Sequence, residues 1–391
     1  VTGRRGASPA ETLASELQTR RIVVVCGSGG VGKTTTAAAL GLRAALRGRR
    51  VLVCTIDPSR RLATSLGLNQ LSGRPRALDL ARFRPLPGGS LSAMVLDTKS
   101  TFDALVEAYA PSEADRRRIL GNRFYRQISA ALAGSHEYMA MEKLLELSAD
   151  KRFQLVVLDT PPTRHALDFL EAPDRLMSFL DTSILRWFLK PYFVAGQLTI
   201  KVATRTGATA LKLADRFLGL QFLRDLSEFF LAFEGMYDGF KERAARVHAL
   251  LRDEASGFVL VAGPARPALE EALYFHARLR EKRMPFLGFI VNRVHPDPAQ
   301  EIASRPPAAG GGTRVDPNLA EALLQIYHDH QSVARAQHRA VARLEVDTGE
   351  RPIMVPELDQ DVHDLRGLRE VGDAMLGEVS ANGRARRRVS S

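Results

Sequence analysis

Gly27, Gly32, Lys33 and Thr34 fall in the spacing G-x-x-x-x-G-K-T within "VVVCGSGGVGKTTTAAAL" (23–40). Glycines let consecutive backbone N–H groups turn toward one point, and such a concavity binds phosphate oxygens. A helix opening directly after the loop adds the partial positive charge of its N-terminus. Lys33 is placed to neutralise β- and γ-phosphates, and the Thr34 hydroxyl to ligate Mg²⁺. Hydrolysis needs acids at the neighbouring strand ends, and two qualify. Asp57 closes "RVLVCTID" (50–57) and Asp159 closes "FQLVVLD" (153–159). An acid just past a buried strand points into the crevice at the carboxyl edge of a parallel sheet. Asp159 reads as the acid holding Mg²⁺ directly or through water, and Asp57 as the group that orients or deprotonates the attacking water. Each also has a plainer reading, as an aspartate capping the turn that follows it.

These residues need a scaffold that brings distant strand ends together. "RIVVVC" (21–26), "RVLVCTID" (50–57), "LSAMVLD" (91–97), "FQLVVLD" (153–159), "GFVLVAG" (257–263) and "PFLGFIVN" (285–292) are apolar runs of strand length. Continuous apolar runs suit strands buried on both faces. Helical stretches lie between them, at 32–47, in several pieces over 99–150, at 266–283 and at 317–345. The alternation predicts a mostly parallel sheet covered by helices on both faces, and the phosphate loop at the end of its first strand makes the expectation an α/β P-loop NTPase fold. Residues 1–20 read as a flexible polar leader with a helical piece near its end, 21–380 as the ATPase-type domain, 295–317 as a mobile loop and 381–391 as a basic disordered tail. A helical insertion spans about 173–254, where Phe222, Leu223, Leu226, Phe229, Phe230 and Phe233 recur at helical spacing. They suit an apolar binding groove or an ordinary helix–helix core.

The 391 residues carry a net charge of +11, which favours anionic partners without indicating a fold. Cys26 and Cys54 are the only cysteines, so a C-x-x-C zinc site is excluded and both read as small buried hydrophobes. Few cysteines suit a cytoplasmic location. No run reaches the roughly 20 apolar residues of a membrane span. The longest candidate, 184–202, is broken by Arg186, Lys190 and Lys201. Membrane contact is therefore expected to be peripheral at most. The "RARRR" tail lacks interleaved aromatics, which argues against nucleic acid.

"GSGGVGKTTTAAALG", "TIDPSRRL", "LDTPPTRHALDFL", "FIVNR" and "PIMVPELD" occur in the order and spacing of the arsenite-pump/guided-entry ATPases. The chain resembles that family over most of 20–375, in the form of its actinobacterial branch. The resemblance implies an ATP site at Gly29, Gly30, Val31, Gly32, Lys33, Thr34 and Thr35, with Mg²⁺ at Thr34 and Asp159. It implies a first switch at Asp57 and Pro58, with Asp57 catalytic beside Lys33, and a second at Asp159, Thr160, Pro161, Pro162 and Thr163. It makes Asn292 the adenine-reading residue, and Pro352 to Pro356, Val355 included, a loop packing on the base. Hydrolysis of ATP to ADP and phosphate would open and close a dimer and move an apolar client-binding subdomain.

Departures from the family's pattern carry information too. Family loops often read G-K-G-G-V-G-K-T, and the first lysine reaches a partner's phosphates. Here that position is Ser28, too short and uncharged to replace a cation. A heterodimer with a paralogous subunit bearing the lysine is therefore expected over a homodimer. Arg60, Arg61 and Arg164 are nearby cations whose plainer reading is a solvated surface. "PARP" (264–267) stands where relatives carry an acid on the nucleotide side. Two cysteines can form neither the family's interfacial zinc site nor its arsenite-binding triad, which argues against thiol-based arsenite pumping. A hydrophobic client or a small ligand stays open. Two alternatives stand beside the ATPase: a nucleotide-gated binding module with little hydrolysis of its own, and a partition- or positioning-type ATPase.

Overall fold

Ile22–Gly27 (β1) is buried along its whole length, as a continuous apolar run between two neighbours must be. In the computed structural model β1 lies between Leu155–Asp159 (β5) and Ser256–Ala262 (β6), parallel to both. The structure describes residues 7–57, 59–122, 125, 135–161, 236–299, 316–358, 360–379 and 385–386. The remaining strands of the main sheet are Arg50–Thr55 (β2), Arg76–Leu78 (β3), Ser90–Val95 (β4), Phe286–Val294 (β7) and Ile353–Pro356 (β8). Their order is β3-β4-β2-β5-β1-β6-β7-β8, and only β3 runs antiparallel to its neighbour. The chain leaves β1 toward β2 on one side and later returns to β6 on the other. That reversal opens a crevice above the carboxyl end of β1, where ligands bind in such sheets.

Lys33–Leu46 (α2) follows β1 and packs on the sheet through a nearly all-alanine and leucine surface. Gly41 allows the approach, since a Cβ there would lie 2.4 Å from Val53 Cγ2. Replacing a helical glycine by alanine ordinarily gains up to about 1 kcal/mol. Overpacking here costs about 1–3 kcal/mol. Gly41→Ala is therefore expected to lower the urea midpoint without changing the slope of the transition.

Arg43 of α2 is 1% exposed and bonds to Asp373 and the Gly377 carbonyl, fastening Leu365–Leu376 (α10) to α2. Burial pushes its guanidinium down to about 10. At the amino-terminal edge of the sheet, other arginines bind backbone carbonyls. Arg49 donates to Leu17, Arg20 and Gln154, Arg21 to Ser148 and Asp150, and Arg50 to Arg152.

Two expectations need correction here. Pro9–Thr19 (α1) is no loose leader: Ser8 and Glu11 cap it reciprocally, and Leu13 and Leu17 are buried in the core. Its apolar residues, three and four apart, give it a face to bury. In the expected tail, Ala385–Arg386 (β10) pairs with Glu378–Val379 (β9).

The chain divides into two compact units. One comprises Val1–Val95, Leu147–Ala166 and Leu250–Ser391, and holds the sheet. The other comprises Leu96–Glu146 and Leu167–Ala249. The second unit therefore includes more than the expected insertion, because Thr98–Tyr109 (α4) and Glu113–Gly121 (α5) pack on each other within it. Within this unit Arg243 donates to the buried Glu142 at 2.5 Å and to the Tyr109 hydroxyl at 2.6 Å. Most of 173–254 lies outside the described residues, as does 300–315 of the expected mobile loop.

The other helices among the described residues are Arg61–Ser65 (α3), Ser135–Ala149 (α6), Tyr237–Arg252 (α7), Arg266–Glu281 (α8) and Pro317–Thr348 (α9). Among the described residues no helix is long and apolar enough to cross a membrane.

Candidate active site

The loop between β1 and α2 owes its shape to Gly32, the residue before the helix. Its φ of 93° is a left-handed conformation, and a Cβ there would sit 2.2 Å from Asn292 Nδ2. No side chain caps the start of α2, so its first-turn N–H groups remain available to an anion. Lys33 reaches back across the loop, its Nζ donating to the Ser28 carbonyl at 2.7 Å. Burial lowers the Lys33 pKa while the charge of Asp159 opposes the shift. The Ser28 hydroxyl is buried without a hydrogen-bond partner, and no cation stands at that position.

Asp159, at the end of β5, is 1% exposed. Its Oδ2 accepts from Thr34 Oγ1 at 2.7 Å and from Thr55 Oγ1 at 2.9 Å. Its Oδ1 is buried and has no hydrogen-bond partner. Burial pushes this carboxyl up to about 6, although both hydroxyls and Lys33 act to lower it. A buried carboxylate with one unsatisfied oxygen, next to a threonine hydroxyl on the phosphate loop, is a hard-oxygen donor set. It fits Mg²⁺, which binds through one or two protein oxygens and keeps waters and phosphates as further ligands. Thr34 and Asp159 are thus brought together as the spacing suggested.

Thr55 is a site residue that the sequence reading missed. It orients Asp159 and also accepts the Asp57 N–H at 3.2 Å, linking the two acids. A threonine ending an apolar strand, two residues before an acid, was the available signal.

Asp57 lies just past β2 and is partly buried. Its Oδ1 accepts the Ser59 N–H at 2.9 Å, the turn-capping role of the plainer reading. Its Oδ2 faces Arg61 at 3.9 Å. Its charge acts on both Lys33 and Asp159. Thr160 anchors the start of the second switch, its Oγ1 donating to the Val25 carbonyl at 2.9 Å. Pro161 is described, whereas Pro58, Pro162 and Thr163 lie outside the described residues.

Asn292, near the end of β7, donates from Nδ2 to the Val31 carbonyl at 2.9 Å. Its Oδ1 is a hydrogen-bond acceptor. Residues 351–359 read from the sequence as a short strand followed by a loop, and the strand is there. Ile353–Pro356 is an edge strand pairing in parallel with β7, with Met354 opposite Val291 and Pro356 opposite Val294. Alternation turns Val355 into the core at 1% exposure and leaves Met354 and Pro356 outward. Pro352 is buried as well. Val355 therefore faces the core with Ile353, because a strand buries every second residue. Cys26 is fully buried beside Thr160, and burial pushes its thiol up to about 12, leaving it a packing residue.

A lysine-bearing phosphate loop facing a buried acid across the crevice of a parallel sheet defines the P-loop NTPases of α/β fold. Sequence comparison places the chain within that class. Residues 20–308 match the family model for anion-transporting ATPases, and the chain belongs to that family and is an ATPase. It is similar to ATPase GET3C of Arabidopsis thaliana, 28% identical over 314 residues, covering 76% of this chain and 72% of that protein. It is also similar to ATPase GET3 of Malassezia globosa, 32% identical over 150 residues, 38% of this chain and 41% of that protein. With ATPase get3 of Pyrenophora tritici-repentis it shares 31% over 171 residues, 43% of this chain and 48% of that protein.

Proposed function

We propose that the chain hydrolyses ATP to ADP and phosphate in a Mg²⁺-dependent reaction at the carboxyl end of β1, β2 and β5. The observation that carries this reading is Asp159, buried, with one oxygen bound by two hydroxyls and the other unsatisfied. Bound Mg²⁺ would supply charge neutralisation for the β- and γ-phosphates. Lys33 gives up the Ser28 carbonyl and turns its ammonium to the phosphates. Thr34 presents its hydroxyl toward the ion, and the α2 N–H groups hold phosphate oxygens. Asp57 orients the attacking water and accepts its proton. Asn292 Oδ1 reads the adenine amino group, with Pro356, opposite Val294, on the neighbouring strand.

Asp57→Asn is expected to leave ATP affinity within about twofold of wild type and to reduce turnover by about 10²–10⁴. Calorimetry and phosphate release, measured on the same preparation, check it. Unchanged turnover would move Asp57 to its turn-capping role, which the Ser59 contact supports, whereas a wild type that binds ATP with little turnover would favour the nucleotide-gated binding module.

The chain acts in a dimer that closes on ATP and opens after hydrolysis, carrying a helical region that holds a hydrophobic client or a small ligand. Its apolar residues, such as Phe222, Leu226 and Phe233, lie outside the described residues. Ser28 supports a partner that supplies the loop lysine. Native mass of the tagged protein, with and without co-purifying subunits, tests this. A homodimer with full turnover on its own would overturn the heterodimer. The place of action is the cytoplasm.

A further inference from the structure

Three described residues other than glycine have positive φ: Arg84 at 48°, Arg283 at 56° and Arg293 at 60°. That region is disfavoured for any residue with a Cβ, so each instance needs a reason. Arg84 caps the short turn of helix Ala81–Phe83. Arg283 stops α8, with the Met284 N–H returning to the Leu279 carbonyl at 2.9 Å, the usual left-handed helix ending. Arg293 has no such explanation. It lies inside β7, where the pairing with β8 shifts register between Val291 and Val294. A left-handed bulge position is normally taken by glycine, and bulges near active sites re-aim side chains. An arginine kept there is using its guanidinium.

That guanidinium meets the phosphate loop. Arg293 Nη1 donates to the Gly30 carbonyl at 3.4 Å, and the preceding residue, Asn292, donates to the Val31 carbonyl at 2.9 Å. Two consecutive residues of β7 thus hold two consecutive carbonyls of the loop. In a planar trans peptide the C=O and N–H point in opposite directions, and the described chain has no cis peptide. Holding the Gly30 carbonyl therefore sets the direction of the Val31 N–H. Holding the Val31 carbonyl does the same for the Gly32 N–H.

The geometry points to Arg293 as a positioning residue that, with Asn292, presets the loop's N–H donors for the polyphosphate of a nucleoside di- or triphosphate. This rests on ATP occupying the loop, as proposed above. Donors fixed in advance cost no reorganisation when the anion arrives, so the benefit falls on nucleotides that reach the loop with a β-phosphate.

The test compares Arg293→Gly, Arg293→Lys and Lys33→Ala with the wild type. Calorimetry measures binding of ATP, ADP and AMP with Mg²⁺, and thermal unfolding measures the free protein. Arg293→Gly is expected to unfold at the same or a higher temperature, because glycine accepts the backbone conformation freely. Its ATP and ADP affinities should fall about 3- to 10-fold, the range of one lost hydrogen bond, with AMP unchanged. Arg293→Lys should recover part of the loss, since an ammonium can also donate to the Gly30 carbonyl. If Arg293→Gly binds ATP like wild type while Lys33→Ala does not, the inference is overturned and the ATP site stands. An equal loss for AMP also overturns it, as does no recovery with lysine. Failure of the wild type to bind ATP overturns the ATP site, and this inference with it.

Discussion

Asp159→Asn should abolish Mg²⁺-dependent turnover, by about 10³-fold or more, while making the metal-free protein more stable. Loss of activity follows from removing the only buried carboxylate beside the Thr34 hydroxyl among the described residues. The gain in stability follows from its electrostatics. Burial raises the carboxyl from 3.8 to about 6, so the folded state binds the proton more tightly than the unfolded chain does. The sign is therefore opposite to that of an ion-paired acid. The folded state is favoured below pH 4, and that advantage disappears as pH rises toward 6. Above that, the ionised group costs up to about 3 kcal/mol, taking 1.36 kcal/mol for each pKa unit. Asparagine retains an oxygen to accept from Thr34 and Thr55 without the charge. Urea unfolding of both proteins at pH 4, 6 and 8, without Mg²⁺, should show a difference that grows with pH. A variant that is equally stable at all three values, or that retains Mg²⁺-dependent turnover, would remove Asp159 from its assigned place.

Gly32→Ala should be nearly as damaging to function, by a different route. The new Cβ would fall 2.2 Å from Asn292 Nδ2 in a backbone with φ of 93°. Either Asn292 leaves the Val31 carbonyl or the loop unwinds at the start of α2. Each outcome displaces Lys33 and Thr34, so ATP binding weakens and turnover is expected to fall by about 10²-fold or more, since a misplacement of about 1 Å at reacting groups has that effect on rate. Gly30→Ala is the matched control. Gly30 also has positive φ, 79°, but a Cβ there meets nothing within 4 Å. Its cost should be limited to the backbone conformation, about 1–2 kcal/mol. Binding isotherms for the pair separate steric exclusion from backbone preference: similar losses in both would show that the Asn292 contact is irrelevant.

The central strands and the loop were legible because burial on both faces demands unbroken apolar runs, and phosphate binding demands glycine, lysine and threonine at set distances. β1, β2, β5, β6 and β7 each correspond to such a run. β3 did not announce itself, since a three-residue edge strand in an Arg- and Pro-rich stretch needs no apolar pattern. α1 had a readable signal, serine and glutamate three apart around a proline, that its polar composition obscured. Thr55 and Arg293 were opaque for another reason. Their roles depend on partners 104 and 263 residues away; Thr55 offered only its place at a strand end before an acid, and nothing local to Arg293 encodes its meeting with the loop.

The arginines along the amino-terminal edge of the sheet change what a charge of +11 means. Arg20, Arg21, Arg49 and Arg50 direct their guanidinium groups at carbonyl oxygens of their own chain. These are ion–dipole ties, which ordinary ionic strength weakens far less than it weakens pairs of opposite charges. These four arginines thus serve as internal rivets, and a high isoelectric point by itself is a poor guide to how strongly this edge of the sheet would seek polyanions.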